Sequence, residues 1–343
     1  MSRRWIHVAA FFAVTLPAGA QVTGVVVGSN GIPLPYSTVT VIETGASRFT
    51  GQNGDFVIAG LSPGAYHLRV KQLGFVAQDT AIVLRGGPQQ IRVTLQPSPF
   101  KLSTVTVRAT KGCIAANDRR GAADFQTILA ELQNNAERER LLVKSYPFEY
   151  RIARTFDTPT LADAMRREYD TASFRSDTRP PYLPGQLIRD DPSAHPPNSK
   201  QMTIPVLEDL GDPAFLQSHC FSYEGIAREK SSATYRIDFR PVSSLRKPDI
   251  EGSVFLDTAS FVVRRAEFHL TRPEQFNLAL RELQVTTNYR EIFPGVTVVG
   301  DVVSIQMLKG SGVGGRVTRL TEKQRLLDFQ FLGAKPGEAT IKQ

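Results

Sequence analysis

The sequence predicts a mainly β protein in two parts: a small β-sandwich at residues 21–97 and a larger antiparallel sheet within 146–343 that curves and carries one or two helices. Three observations carry this reading. Short apolar segments that alternate with polar residues run from Val22 to Leu95, separated by Gly, Pro and Asn, as in strands joined by tight turns. Longer alternating segments fill the chain from Phe221 to Leu332. Between them, one window has helical spacing.

The chain of 343 residues begins with Arg3 and Arg4, an apolar run from Val8 to Leu16, and the small residues Ala18-Gly19-Ala20 before Gln21. That order reads as a secretory leader over residues 1–20, cut after Ala20. Its apolar run is far short of the ~20 residues that span a bilayer, so the mature chain is expected to be exported, to the periplasm or cell envelope, without a transmembrane span. Without Arg3 and Arg4 the formal charge falls from +8 to +6, and the basic residues form no stripe. Nucleic acid is therefore not expected as a partner.

In the first part, Asn53-Gly54 suits a tight hairpin, and the next strand alternates Phe56 and Ile58 with Asp55 and Val57. Pro63-Gly64 is expected at the centre of a type II turn, with Gly64 left-handed. Tyr66, Leu68 and Val70 then share a strand face, and Gly74-Phe75 ends that strand. These pieces resemble the carboxypeptidase regulatory-like domain, a transthyretin-like β-sandwich. The matching residues are the strand opening at Gly24, "GIPLPYSTV" at 31–39, "TGQNGDF" at 50–56, "LSPGAY" at 61–66 and "LGF" at 73–75. The resemblance implies a non-catalytic accessory module placed ahead of a larger exported domain. A "VTVRA" connector at 105–109 is similar to one in outer-membrane receptors, but the roughly 230 residues after it are too few for their barrel, and that reading is set aside.

Residues 98–145 form a connector strand and an amphipathic helix, with Phe125, Ile128, Leu129 and Leu132 at i, i+3, i+4 and i+7. Glu131, Glu137, Arg138, Glu139 and Arg140 are expected on its solvated face. A proline-rich loop is expected at 176–200, then long antiparallel strands with turns at Asp257–Ser260 and Gly310–Gly315. "DFRP" at 238–241 followed by the strand from Gly252 to Glu267 resembles the curved half-barrel of periplasmic lipoprotein-carrier proteins and related exported domains.

Several constellations are weighed for chemistry. "GSGVGG" at 310–315 has the spacing of a dinucleotide loop but lies between strands, so a hairpin is expected. Ser244 to Lys247 matches S-x-x-K, yet flanking Pro241 and Pro248 place it in a loop. His219 and Cys220, adjacent in a strand, point to opposite faces and do not form a nucleophile–base pair. Cys113 and Cys220 are expected to form a disulfide, with buried free thiols the alternative. His67, His195, His219 and His269 show no ligand spacing, so neither a metal site nor a cofactor is expected. Asp190-Asp191 and Glu208-Asp209 are expected as solvated carboxylates. No catalytic set emerges. The expected function is non-enzymatic binding or assembly in the cell envelope, through an envelope protein or a hydrophobic ligand on the inner face of the second sheet. A periplasmic carrier of lipid or another hydrophobic ligand is the alternative, and an exported hydrolase the second.

Overall fold

A computed structural model describes residues 20–98, 122–159, 165–190, 200–229, 232–310 and 317–338. The leader, the 105–109 connector, Cys113, Asp191, His195 and all but the first residue of the 310–315 glycine run lie outside the described residues.

The first part is a sandwich of two sheets. β1 (Ala20–Gly28), β2 (Thr38–Val41), β3 (Ser47–Phe49), β4 (Asp55–Leu61), β5 (Gly64–Lys71), β6 (Gln78–Leu84) and β7 (Gln89–Leu95) build it. One sheet has the order β4-β1-β7, with β1 parallel to β7, and the other β3-β2-β5-β6. Alternation places Phe56, Ile58, Leu68, Val70, Val93 and Leu95 in one apolar core between the sheets. The glycine motifs answer steric demands. Gly54 has φ +73°, and a Cβ there would sit 2.4 Å from the Val26 carbonyl oxygen. At Gly24 a Cβ would meet the Phe56 ring at 2.6 Å and the Ile91 carbonyl at 2.7 Å.

One turn differs from expectation. Gly64 is not left-handed; it opens β5, paired with Leu84. The positive φ falls on Gly60 instead, at +79°, where β4 carries an extra residue relative to β1 between Ile58 and Leu61. The bulge supplies the bend that a type II turn would have supplied.

The second part starts with α1 (Ala122–Ser145), followed by the hairpin β8 (Phe148–Pro159) and β9 (Met165–Arg175). A cap segment comes next, with β10 (Ile188–Asp190), β11 (Lys200–Met202), α2 (Leu207–Leu210) and α3 (Pro213–Ser218). The chain then runs up and down through β12 (His219–Glu229), β13 (Ser232–Pro241), β14 (Ile250–Asp257), β15 (Val263–Leu270), β16 (Leu280–Phe293), β17 (Val296–Leu308) and β18 (Thr318–Phe331). These strands and the β8–β9 hairpin form one nine-stranded antiparallel sheet, β12-β13-β14-β15-β16-β17-β18-β8-β9. Bulges at Tyr223/Gly225, Asn288/Tyr289 and Leu326/Asp328 interrupt its register and bend the strands.

α1 fills the inner face of this sheet. Ile128 and Leu132 join Tyr235, Ile237, Val254, Phe268 and Val285 of the sheet, and Leu187, Leu207, Leu210 and Phe215 of the cap, in one core. The expected loop at 176–200 is thus partly structural, since Tyr182 and Leu187 are buried. The sandwich joins the same packing. Leu73 belongs to the core around α1, and Tyr36 and Phe49 pack with Leu141, Leu142, Tyr146 and Phe148.

The solvated face expected for α1 is overturned. Glu137 is exposed, but Glu131, Asn135, Arg138 and Glu139 are buried, because sheet, cap and sandwich surround the helix. Each is answered by a distant segment. Asn135 donates to the Phe261 carbonyl at 2.8 Å and accepts from the Val263 amide at 3.0 Å. Arg138 donates to the carbonyl of Gly295 at 2.7 Å and to Gln72 Oε1 at 3.1 Å, tying the sandwich to the β16–β17 turn. Glu131 Oε1 accepts the Gly74 amide at 3.0 Å. Among the described residues no helix is long and apolar enough to cross a membrane.

Candidate functional site

A cavity of about 440 Å³ lies between the inner face of β8, β9, β17 and β18, the C-terminal half of α1, and the cap. Period-two spacing on β8 aims Phe148, Tyr150, Ile152 and Arg154 at it. Phe174 of β9 stacks on Tyr150 with ring centroids 5.6 Å apart, and Tyr150 meets Phe148 at 5.9 Å. Val298, Val299 and Val302 of β17 continue the apolar wall, while Met202, Ile204 and Val206 form the roof. The size and lining are those of a small-molecule site.

The polar end is a cluster at the seam between α1 and the cap. Glu139 Oε2 accepts the Glu208 amide at 2.5 Å, and Arg140 donates to the Glu208 carbonyl at 2.9 Å. Arg179 donates to Asp209 Oδ2 at 2.7 Å, and its Nη1 lies 3.7 Å from Glu208 Oε1. Burial pushes the Glu139 carboxyl up to about 8, with the charges of Glu208 and Asp209 adding to the rise. Burial, then Asp209, also raises Glu208. The remaining cations on the lining are paired, Arg154 with Asp170 and Arg325 with Asp301. Of the guanidinium nitrogens on the lining residues, Arg179 Nη1 and Arg154 Nε are buried without a hydrogen-bond partner, Arg179 Nη1 facing Glu208 at ion-pair distance.

A wider groove of about 940 Å³ separates β2, β3 and β5 from α1. It is lined by Arg48, Arg69, Lys71, Arg140 and Lys144, of which Arg69 pairs with Asp79, Lys71 with Glu137 and Arg140 with Asp212. Most of its charge is answered internally.

The residues singled out in the sequence fall elsewhere. His219 is fully buried, stacked on Phe215 at 3.9 Å, with Nδ1 3.1 Å from the Phe215 carbonyl and Nε2 3.2 Å from that of Ile250. It also lies 3.5 Å from Asp249, which accepts the Tyr182 hydroxyl and the amides of Gly185 and Ile250. This network holds the cap to β14. Cys220 sits opposite Arg240 and less buried than His219, while Cys113 is outside the described residues. His67 pairs with Glu43 on the surface, and His269 stands 4.0 Å from Glu282. Among the described residues no His, Cys, Asp and Glu group could hold a metal. Ser244 to Lys247 is a loop, and β17 and β18 pair antiparallel with Leu308 opposite Thr318, on either side of the glycine run.

Glu208-Asp209 corrects a second expectation. These carboxylates are not simply solvated: Asp209 is buried in α2, where it accepts from Arg179 and from the Val206 amide at 2.9 Å. Glu139 had a legible signal. Extending the stripe Phe125-Ile128-Leu129-Leu132 by the same spacing reaches Asn135, Ala136 and Glu139, so an amide and a carboxyl stand on the apolar face. Arg179, Tyr150 and Phe174 had none, because the cap and the β8–β9 hairpin meet only in three dimensions.

The molecule is therefore a β-sandwich joined to a helix-filled antiparallel sheet, with a half-open, largely apolar cavity between sheet, helix and cap. Residues 21–96, the sandwich, match the family described as carboxypeptidase regulatory-like domain. No curated protein matches the chain. Among solved structures, a LolA superfamily protein from Nitrosomonas europaea is similar at 15% identity and TM-score 0.32, over 61% of this chain and 94% of that one. A DUF1329 family protein from Desulfovibrio piger is similar at 9% identity and TM-score 0.33, over 63% and 99%. A putative carbohydrate binding protein from Bacteroides uniformis is similar at 10% identity and TM-score 0.21, over 73% and 95%. Likenesses this low assign no activity.

Proposed function

We propose that this is an exported, non-enzymatic binding protein of the bacterial cell envelope, which holds a small hydrophobic molecule in the cavity under the cap. The observation that carries the reading is the cavity itself: about 440 Å³, walled by Phe148, Tyr150, Phe174 and the β17 valines, with polar groups gathered at one end. An apolar concavity of this kind gains free energy from an occupant that removes its walls from water. Charge narrows the chemistry. Arg154, Arg179 and Arg325 are each paired with an aspartate, and Glu139 is shifted toward its neutral form. Paired guanidiniums and a carboxyl shifted toward neutrality suit a ligand with an apolar body and an uncharged polar head. The regulatory-like sandwich acts as a support, since Tyr36, Phe49 and Leu73 brace α1 from behind.

Native mass spectrometry of protein purified from its own envelope tests the reading. A retained small molecule, displaced by the neutral dye N-phenyl-1-naphthylamine and lost in the cavity-filling variant Val302→Trp, is expected. A copurifying protein with no dye uptake would favour the assembly role instead.

A further inference from the structure

We propose that Glu139 is a proton-operated latch on the cavity: neutral, it holds the 203–210 segment of the cap against α1, and ionised, it lets that segment lift. The inference rests on the cavity being the ligand site and adds how that site is opened.

The geometry is a buried carboxyl at a seam between two segments far apart in the chain. Glu139 comes from a long helix whose neighbours Asn135 and Leu142 are packed on other elements, so the helix cannot follow the cap when it moves. Its Oε2 takes the Glu208 amide at 2.5 Å, at the first turn of α2. That contact and the Arg140 bond to the Glu208 carbonyl tie α1 to this part of the roof.

The surrounding charges decide what ionisation does. From the cap, Glu208, Asp209 and Arg179 face Glu139. From the sheet, Tyr289 of β16 and Tyr150 of β8 lie within its electrostatic reach, and Arg154 and Arg325 stand across the cavity, each already paired. On α1, Arg140 is directed to Asp212 at 3.5 Å. With Glu139 neutral, Arg179 serves two carboxylates. With Glu139 ionised, three carboxylates share that guanidinium in a half-buried seam, with Arg140 at its rim acting on Glu208 and on Asp212, while Arg154 and Arg325 are engaged by partners of their own. Separating the cap from α1 hydrates the carboxylates. The raised proton affinity of Glu139 agrees with this and places the end of the transition near pH 8. Unlatching at rising pH opens the polar end of the cavity, so the ligand is held most firmly at acidic pH and released progressively as pH rises toward 8, where the effect levels off.

Hydrogen exchange of the full-length protein, followed by mass spectrometry at pH 6, 7, 8 and 9 and corrected for the intrinsic chemical rate, reads the latch directly. In the wild type, protection of peptides covering 203–212 falls by about tenfold or more across the series, since each tenfold difference in proton affinity between the closed and open forms changes the open population tenfold. In Glu139→Gln, which keeps an acceptor for the Glu208 amide but cannot ionise, protection is flat. Glu208→Gln removes one opposing carboxylate, so Glu139 ionises more readily with the cap closed; the fall is then smaller and levels off at lower pH. A flat wild-type profile, or Glu139→Gln with the wild-type slope, overturns the latch. Should Glu139→Gln fail to fold, an undiminished fall in Glu208→Gln overturns it. Binding of N-phenyl-1-naphthylamine is followed over the same pH series. Exchange that responds to pH without dye binding sinks the ligand reading and leaves the latch; dye binding with flat exchange does the reverse.

Discussion

The two parts of this molecule bury polar groups in opposite ways. In the sandwich the buried hydroxyls are answered nearby: Thr50 donates to Leu34 and accepts from Ser37, and the Ser37 hydroxyl also donates to Leu34. In the second part many of the buried polar groups are ionisable side chains answered across long stretches of chain. Asp249 holds Tyr182, Arg138 holds Gln72 and Gly295, and Glu139 holds Glu208. Local satisfaction leads to the expectation of a module whose own fold depends little on the rest of the chain, although Leu73, Tyr36 and Phe49 pack against the second part. Distant satisfaction makes the helix, cap and sheet one unit whose stability answers to pH.

The largest expected effect concerns the two cysteines. If Cys113 and Cys220 are joined, the bond closes a loop of roughly a hundred residues, and Cys220→Ala lowers the stability of the second part by roughly 4–5 kcal/mol on the chain-entropy account, leaving the sandwich unchanged. Nonreducing peptide mapping comes first; two free thiols remove this prediction and its contribution to the contrast.

Asp249→Ala is next, at roughly 3–5 kcal/mol, because it strands the Tyr182 hydroxyl and the amides of Gly185 and Ile250 in a buried site. Denaturant unfolding followed by near-ultraviolet signals of the second part should show the loss. An equal loss in the sandwich would break the comparison.

The pH dependence is somewhat smaller, on the order of 2–4 kcal/mol at about 1.4 kcal/mol for each tenfold change in proton affinity, reduced for hydration of a loosened seam. Burial raises Glu131 to about 7 and Glu139 to about 8 from 4.5. Between pH 4.5 and 8 the native chain therefore holds protons that the unfolded chain has lost. This stability is complete below pH 4.5, declines as pH rises, and is gone above 8. Unfolding midpoints at about pH 5, 7 and 9 check the sign; a midpoint that rises over this range contradicts it.

The smallest is Gly54→Ala, roughly 1–3 kcal/mol, from the positive φ and the approach to the Val26 carbonyl. Measured in the whole chain and in a 21–97 fragment, the loss should be the same. A larger loss in the whole chain would mean that the hairpin is supported by the second part.

How far the sequence can be read divides along the same line. The sandwich strands are legible because Gly54 and Gly74 mark turns at positive φ, while Phe56, Ile58, Leu68 and Val70 alternate with period two. Gly64 shows the limit: a Pro-Gly pair is compatible with a turn or with a strand start, and a bulge at Gly60 decides between them. In α1 the apolar stripe is legible through Leu132, but the helix is buried well beyond it. Glu131 and Arg138 look like a solvated face to any rule that considers one helix alone, whereas Glu139 falls on the extension of the stripe.

The amino-acid sequence by itself determined that this protein is mainly β, that a regulatory-like sandwich leads it, and that a helix and long antiparallel strands come after. Those properties depend on periodicity and on turn residues, which act over a few positions. Only the tertiary structure decided that α1 is enclosed by sheet, cap and sandwich, that Glu139, Arg179 and Glu208 meet at one seam, and that Tyr150 and Phe174 wall a cavity there. Burial and pairing are properties of what surrounds a side chain, and here the surroundings arrive from segments dozens of residues away.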